Sequence, residues 1–307
     1  HGDGVFLHGF QQRRLGLGRG AVDLIGQDQV GEDRPRLEAK ALCAGLVGIT
    51  LWMTGGSIAG GGDADRAPAI ALKRLTNLPG PERHPDISPD GRQVLYTSSA
   101  AGNRDIYLLR VGGARAINLT ASSADDDEQA QFSPTGDQIV FRSSRDAGGL
   151  FLMGATGESV KRLTTAGYDP AWSPDGHRIV YSTEGVADPY ARAIFAELWT
   201  ADVATGAASR LFAGDAVQPA WSPDGSRIAY WANTGGQRDV WTIPAGGGTP
   251  EAVTMDAATD WSPAWSPDGR WLYFASDRGG SMNIWRVRID QATGRTTGNP
   301  QAVTNSV

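Results

Sequence analysis

The side chains able to do covalent or metal chemistry are few in this sequence, and poorly spaced for it. Histidines stand at positions 1, 8, 84 and 177, and no two of them have the spacing of a metal-ligand pair. His177 directly follows a Ser-Pro-Asp-Gly string and reads as a solvated turn residue. Cys43 is the only cysteine, so neither an intrachain disulfide nor a cysteine-based metal site can form; inside its apolar stretch it reads as a small hydrophobe. A nucleophilic serine needs a strained elbow between a strand and a helix. The nearest string, Gly55-Gly56-Ser57-Ile58-Ala59, lacks that context, and kinase and phosphate-loop glycine patterns are absent. The densest charge run is Asp125-Asp126-Asp127-Glu128. A hard cation such as Ca²⁺ would find oxygen ligands there, but the alternating spacing of a calcium loop is missing, and the plainer reading is a solvated acidic loop. These residues imply no catalytic group, no metal and no cofactor.

The elements that would position any site are set by repetition. Ser88-Pro89-Asp90-Gly91 recurs as Ser133-Pro134-Thr135-Gly136, Ser173-Pro174-Asp175-Gly176, Ser222-Pro223-Asp224-Gly225 and Ser266-Pro267-Asp268-Gly269, at intervals of 45, 40, 49 and 44 residues. Four short strands with their turns fill about 40–45 residues, the period of a propeller blade. In each copy a short strand ends in an aromatic or apolar residue (Ile87, Phe132, Trp172, Trp221, Trp265) just before the turn. The turn chemistry is consistent throughout: proline sets φ at the first corner, aspartate bonds back to its own backbone, and glycine takes positive φ. An alternating second strand follows, as in Arg178-Ile179-Val180-Tyr181 and Arg227-Ile228-Ala229-Tyr230, then a third such as Asp239-Val240-Trp241, and a fourth ending in Leu-Thr or its equivalent. The expected fold is all-β: a β-propeller of four-stranded blades over residues 72–307, with five blades visible.

Composition agrees. Forty-one glycines and 17 prolines suit a turn-rich chain, and nine of the ten tryptophans lie beyond residue 170. Trp172, Trp221 and Trp265 recur at one place in the repeat and Trp199, Trp241 and Trp285 at another, as packing between blades demands. Residues 1–60 balance six basic against six acidic groups, so the net charge of −6 falls on the rest, and an acidic body argues against a nucleic-acid partner. Just before each inner strand stand His84, Gln129, Asp169, Gln218 and Ser262, in the loops that open on one face near the central channel. They are polar and differ between copies. Binding residues tend to sit on such loops of a rigid scaffold, and these five are the candidate ligand-binding set; the alternative is that they only hydrate the channel mouth.

Residues 1–40 show no periodicity and receive no fold. Leu42 to Gly60 runs nineteen residues without a charge, within the 41–60 segment. It fits a membrane anchor flanked by Arg34, Arg36 and Lys40 or a secretory signal ending at Ser57-Ile58-Ala59, in preference to a segment with no membrane role. The first two readings put the propeller in the periplasm or otherwise outside the cytoplasm.

The string formed by a Leu-Thr end, Pro219-Ala220-Trp221-Ser222-Pro223-Asp224-Gly225, Ile228-Ala229-Tyr230 and Asp239-Val240-Trp241, repeated in register, resembles the repeat of the TolB-like, WD-repeat-like bacterial β-propellers. The resemblance covers about residues 72–304. It implies a non-enzymatic module of the bacterial envelope that binds a protein or peptide. Similar propellers also form the extracytoplasmic sensor half of membrane Ser/Thr kinases and the non-catalytic propeller of prolyl-oligopeptidase-like peptidases. Six-bladed relatives imply a six-bladed parent. Lys73-Arg74-Leu75-Thr76 reads as a fourth strand with nothing upstream to supply strands one to three, so either five blades close imperfectly with it as a spare strand or a sixth blade is incomplete; the resemblance favours the second, and with it an unfilled sector between the last visible blade and the first.

Overall fold

The structure is a computed structural model. It describes residues 73–76 and 81–304, except 187–189, 191 and 193, together with three short strands nearer the N-terminus. Beyond residue 72 the described chain is strands and turns, and its one helical element is a single 3₁₀ turn at Arg145–Ala147.

Five four-stranded antiparallel sheets follow one another in chain order. Their inner strands are Glu82–Ile87, Asp127–Phe132, Tyr168–Trp172, Val217–Trp221 and Asp260–Trp265, which define blades I to V. Each inner strand pairs with an apolar second strand: Gln93–Ser98, Gln138–Ser143, Arg178–Ser182, Arg227–Thr234 and Trp271–Ser276. Third strands lie outside these, and the short fourth strands form the rim.

The repeated residues have repeated jobs. In the turn after each inner strand the serine hydroxyl donates to the aspartate carboxylate, as Ser222 Oγ does to Asp224 at 2.7 Å, and accepts the amide that opens the second strand, Arg227 N at 2.9 Å. Blade II has Thr135 where the others have aspartate, and Asp137 takes over, accepting from Ser133 Oγ at 2.9 Å. The threonine of the Leu-Thr ends is a cap. Its hydroxyl accepts the third-strand amide in four blades: Ile106 N to Thr120, Leu150 N to Thr164, Val240 N to Thr254 and Ile284 N to Thr304, at 2.9–3.1 Å.

Blades adhere through apolar sheet faces. Trp172, Trp221 and Trp265, 6–8% exposed, each lie against the preceding blade and donate Nε1 to its inner-strand carbonyl (Gln131, Ala171 and Ala220), each at 3.2 Å. The core reading of these tryptophans holds. Trp199, Trp241 and Trp285 are partly buried against the same interfaces.

Two expectations need correction. The sector between blades V and I is not empty. A further four-stranded sheet stands there in the order Ala41–Cys43, Ile49–Leu51, Val22–Leu24, Lys73–Arg74. Lys73–Arg74 does take the outermost, fourth-strand position, and it pairs antiparallel with Val22–Leu24. Ala41–Cys43 lies against the inner strand of blade V, and Ile49–Leu51 against that of blade I. This sheet differs from the other five in containing a parallel pair, Ile49–Leu51 with Val22–Leu24. Residues 1–40, which carried no fold signal, thus contribute a strand. Of the 41–60 segment only the two short strands are described; its remaining residues, including Ser57, lie outside the described set. Among the described residues no helix is long and apolar enough to cross a membrane.

The second correction concerns the five polar candidates. They lie inside the inner strands, not in the loops before them, because each sits at a β-bulge. Pairing with the second strand slips between Arg83 and Asp86, Glu128 and Gln131, Tyr168 and Ala171, Val217 and Ala220, and Trp261 and Ala264. Proline follows the candidate in four of the five and resembles a strand end in the sequence; the bulge tolerates it because the extra residue makes no ladder bond.

Candidate functional site

At each bulge the first residue adopts left-handed backbone: His84 (φ 49°), Gln129 (57°), Asp169 (49°), Gln218 (49°) and Ser262 (51°). This conformation turns five side chains from five blades toward one axis. Together with the residues that follow them they line a central cavity of about 140 Å³. Every candidate named from the repeat therefore reaches the same site.

They also bind one another. Gln129 Nε2 donates to Asp169 Oδ1 at 2.7 Å while Gln129 Oε1 accepts the Asp169 amide at 3.0 Å. Gln218 Oε1 accepts from Ser262 Oγ at 3.0 Å and from Trp231 Nε1 at 2.7 Å. Two cross-blade pairs thus stiffen the ring, and two polar atoms remain over: Asp169 Oδ2 and His84 Nδ1 are buried without a hydrogen-bond partner. Burial pushes the Asp169 carboxyl up to about 8, helped by the neighbouring Glu128 carboxylate; the Val186 amide and Gln129 only partly oppose it. Burial pushes His84 down to about 4, helped by the positive charges of Arg83 and Arg104. At neutral pH both groups are uncharged, and the other acidic residue of the lining, Asp86, accepts Phe132 N through Oδ2 at 2.8 Å.

The acidic run behaves differently. Arg104 holds Asp126 at 3.0 Å and Glu128 at 2.7 Å, Arg145 pairs with buried Asp127, and the Asp125 carbonyl accepts from Asn103. Three of its four carboxylates are divided between Arg104, just before the third strand of blade I, and Arg145, in the 3₁₀ turn. Among the described residues no group of three or more His, Cys, Asp or Glu is placed to hold a metal ion. His177 is exposed in its turn, as its sequence context implies.

The repeat did not reveal the apolar surface on the same face. In an antiparallel meander, connections between second and third strands open on the face where inner strands begin, which is the cavity mouth. The connection in blade III is longer than the others and carries Tyr190, Ile194 and Phe195, each more than half exposed. The link from blade IV to blade V adds Met255 at 77% exposure. Buried Arg192 anchors the long connection through Asp215 and Glu184, and the Tyr190 hydroxyl reaches Asp277 in blade V at 2.8 Å. The only sequence signal for this surface was the 49-residue interval.

Comparison with known proteins agrees with this architecture. The model of the TolB beta propeller domain matches residues 69–188 and 169–304. An uncharacterized protein of Agrobacterium fabrum is 35% identical over 123 residues, 35% of this chain and 42% of that protein. The Tol-Pal system protein TolB of Francisella tularensis is 26% identical over 98 residues, 31% of this chain and 22% of that protein. The matched stretch is thus less than half the length of either relative. The crystal structure of TolB from Acinetobacter baumannii superposes with a TM-score of 0.60 at 22% identity, covering 74% of this chain and 55% of that one. A puromycin-hydrolyzing peptidase of Mycobacterium tuberculosis shares the fold over 73% of this chain and 39% of its own, at 21% identity and a TM-score of 0.51, so the fold alone does not separate binders from enzymes.

Proposed function

This chain belongs to the TolB beta propeller family, and from that premise we propose that it is an exported interaction module whose cavity-mouth face binds a protein or peptide of the bacterial envelope, without turning over a substrate. The observation that carries the reading is the composition of that one face. A rigid ring of polar side chains (His84, Gln129, Asp169, Gln218, Ser262) opens beside exposed Ile194, Phe195 and Met255. Apolar anchors next to fixed hydrogen-bonding groups are what a peptide segment needs, since the first supply affinity and the second orient it. The family relation supports a protein partner, because a relative is named as the TolB protein of the Tol-Pal system. Export rests on the uncharged stretch 42–60.

Against an enzymatic role, a chemical step would need a nucleophile, a base and an orienting group within reach of one another. The cavity offers a neutral imidazole and a protonated carboxyl, and the one serine that lines it, Ser262, donates its hydroxyl to Gln218.

The test uses the whole chain. In-cell photo-crosslinking from position 195 should trap a discrete partner, and the Phe195→Glu and Ile194→Asp variants should lose it. Val160→Asp, an exposed apolar site on the outer part of blade II, should retain it. Equal capture by all variants, or a peptidase activity abolished by one cavity substitution, overturns the reading.

A further inference from the structure

The bulged repeat offers an internal comparison. The residue before each bulge faces a cross-strand partner on the second strand, and in four blades this pair is filled. Val217 faces Trp231 and Trp261 faces Ala275, all buried. Tyr168 faces Ser182, whose hydroxyl donates to the Tyr168 carbonyl at 3.3 Å, and Glu128 faces Arg142, whose guanidinium lies 4.7 Å above the Tyr168 ring. Blade I differs. There Arg83 faces Thr97, and between them and Arg104 lies a pocket of about 240 Å³, edged also by Pro81, Ser98 and Ser99.

Three features give this pocket a sign. The Arg83 side chain is exposed and makes no ion pair or hydrogen bond among the described residues. Of the nearby carboxylates, Asp126 and Glu128 both pair with Arg104, and Glu82 accepts from Thr76 through Oε2. The Thr97 residue is 2% exposed and its hydroxyl has no partner, an arrangement that a folded protein leaves at a cost unless something completes it. The Ser99 hydroxyl is exposed beside it. The pocket therefore offers a guanidinium outside any ion pair, a buried hydroxyl without a partner and an exposed one.

We propose that this pocket in blade I is an oxyanion-binding subsite, in which Arg83 and the hydroxyls of Thr97 and Ser99 receive a carboxylate or phosphate group. The guanidinium supplies parallel N–H donors matched to two oxygens, and the hydroxyls supply single donors. The subsite lies on the cavity-mouth face but does not depend on the five bulge residues, and it stands whether or not that face binds a peptide.

The experiment follows thermal unfolding of the whole chain during titration with inorganic phosphate and, separately, with acetate, ionic strength being held constant with sodium chloride. The expected result is a saturable rise in melting temperature with at least one of the two, and the effective one identifies the oxyanion. Arg83→Gln, at an exposed position, should leave the melting temperature without oxyanion unchanged and weaken binding by roughly tenfold to a hundredfold, the loss of a charge-assisted contact. Thr97→Val has the same shape. It should melt at the same or a higher temperature without oxyanion, since an unpaired hydroxyl is removed, yet bind several-fold more weakly. The proposal is overturned if neither oxyanion gives a saturable response, if Arg83→Gln responds as the wild type does, or if Thr97→Val is destabilised while its oxyanion response is unchanged.

Discussion

Replacing Asp169 by asparagine should make the protein more stable at neutral pH and less stable in acid. The carboxyl stands buried at the cavity, one oxygen bonded to Gln129 and the other without a partner. Its pKa is raised from 3.8 to about 8, chiefly by burial. The sign follows from linkage. Between about pH 4 and pH 8 the folded state keeps a proton that the unfolded chain has lost, so raising the pH favours unfolding by about 1.4 kcal/mol per unit. Above pH 8 the penalty is constant, and below pH 4 it vanishes. At pH 7 the full interval would amount to about 4 kcal/mol. Partial access to the cavity and local relaxation reduce this to roughly 2–3 kcal/mol. Asparagine removes the titration, keeps an oxygen for Gln129 Nε2, and tolerates the left-handed backbone (φ 49°) as well as aspartate does. Its amide group inherits the unpartnered position at roughly 1 kcal/mol. The expected net gain at pH 7–8 is therefore about 1–2 kcal/mol, reversing below pH 5. Urea unfolding of both proteins from pH 4.5 to 8.5 measures it. Other buried acids such as Asp239, raised by burial to about 6, tilt both curves equally and cancel in the difference. A difference that does not change with pH, or a wild type more stable at pH 8, refutes the assignment of a protonated Asp169.

Further outcomes are open to direct measurement. Trp221→Phe removes the Nε1 bond to the Ala171 carbonyl and part of an inter-blade face, and should lower stability by roughly 1–3 kcal/mol in denaturant titration, with strand content unchanged in circular dichroism. Arg192→Met should destabilise by roughly 3–5 kcal/mol, because Asp215, whose carboxyl this arginine helps to hold below its usual range against burial, becomes an uncompensated buried charge. Since the depressed Asp215 contributes stability that is lost as pH falls through its folded pKa, the gap between wild type and this variant should narrow in acid; a gap independent of pH counts against the ion pair as its source. Asp224→Ala deletes the acceptor for Ser222 Oγ and the Ser226 amide and should cost about 1 kcal/mol, read as a shift in the urea midpoint without a change in slope.

What the sequence alone determined was the repeating unit, because its signals are local. The Ser-Pro-Asp-Gly turn makes its hydrogen bonds within five residues, from Ser222 to Arg227, and alternation along Arg227-Ile228-Ala229-Tyr230 follows from the period-two geometry of a strand. Counting such units yields five blades without any knowledge of how they meet. The polar position before each inner-strand end was legible for the same reason, and all five of its residues reached one cavity. What only the tertiary structure decided depends on contacts distant in sequence. The bulges that place His84 and its counterparts within strands are two-strand features, visible only once the register with the second strand is known. The pairing of Gln129 with Asp169 spans 40 residues, and the burial that keeps that carboxyl protonated comes from the neighbouring blades together. Val22–Leu24 carries no periodicity of its own, and its pairing with Lys73–Arg74 depends on a strand edge some fifty residues away. A turn is written in the residues that make it, whereas a register, a buried charge or a closing sheet is a property of two segments at once, and neither segment carries it alone.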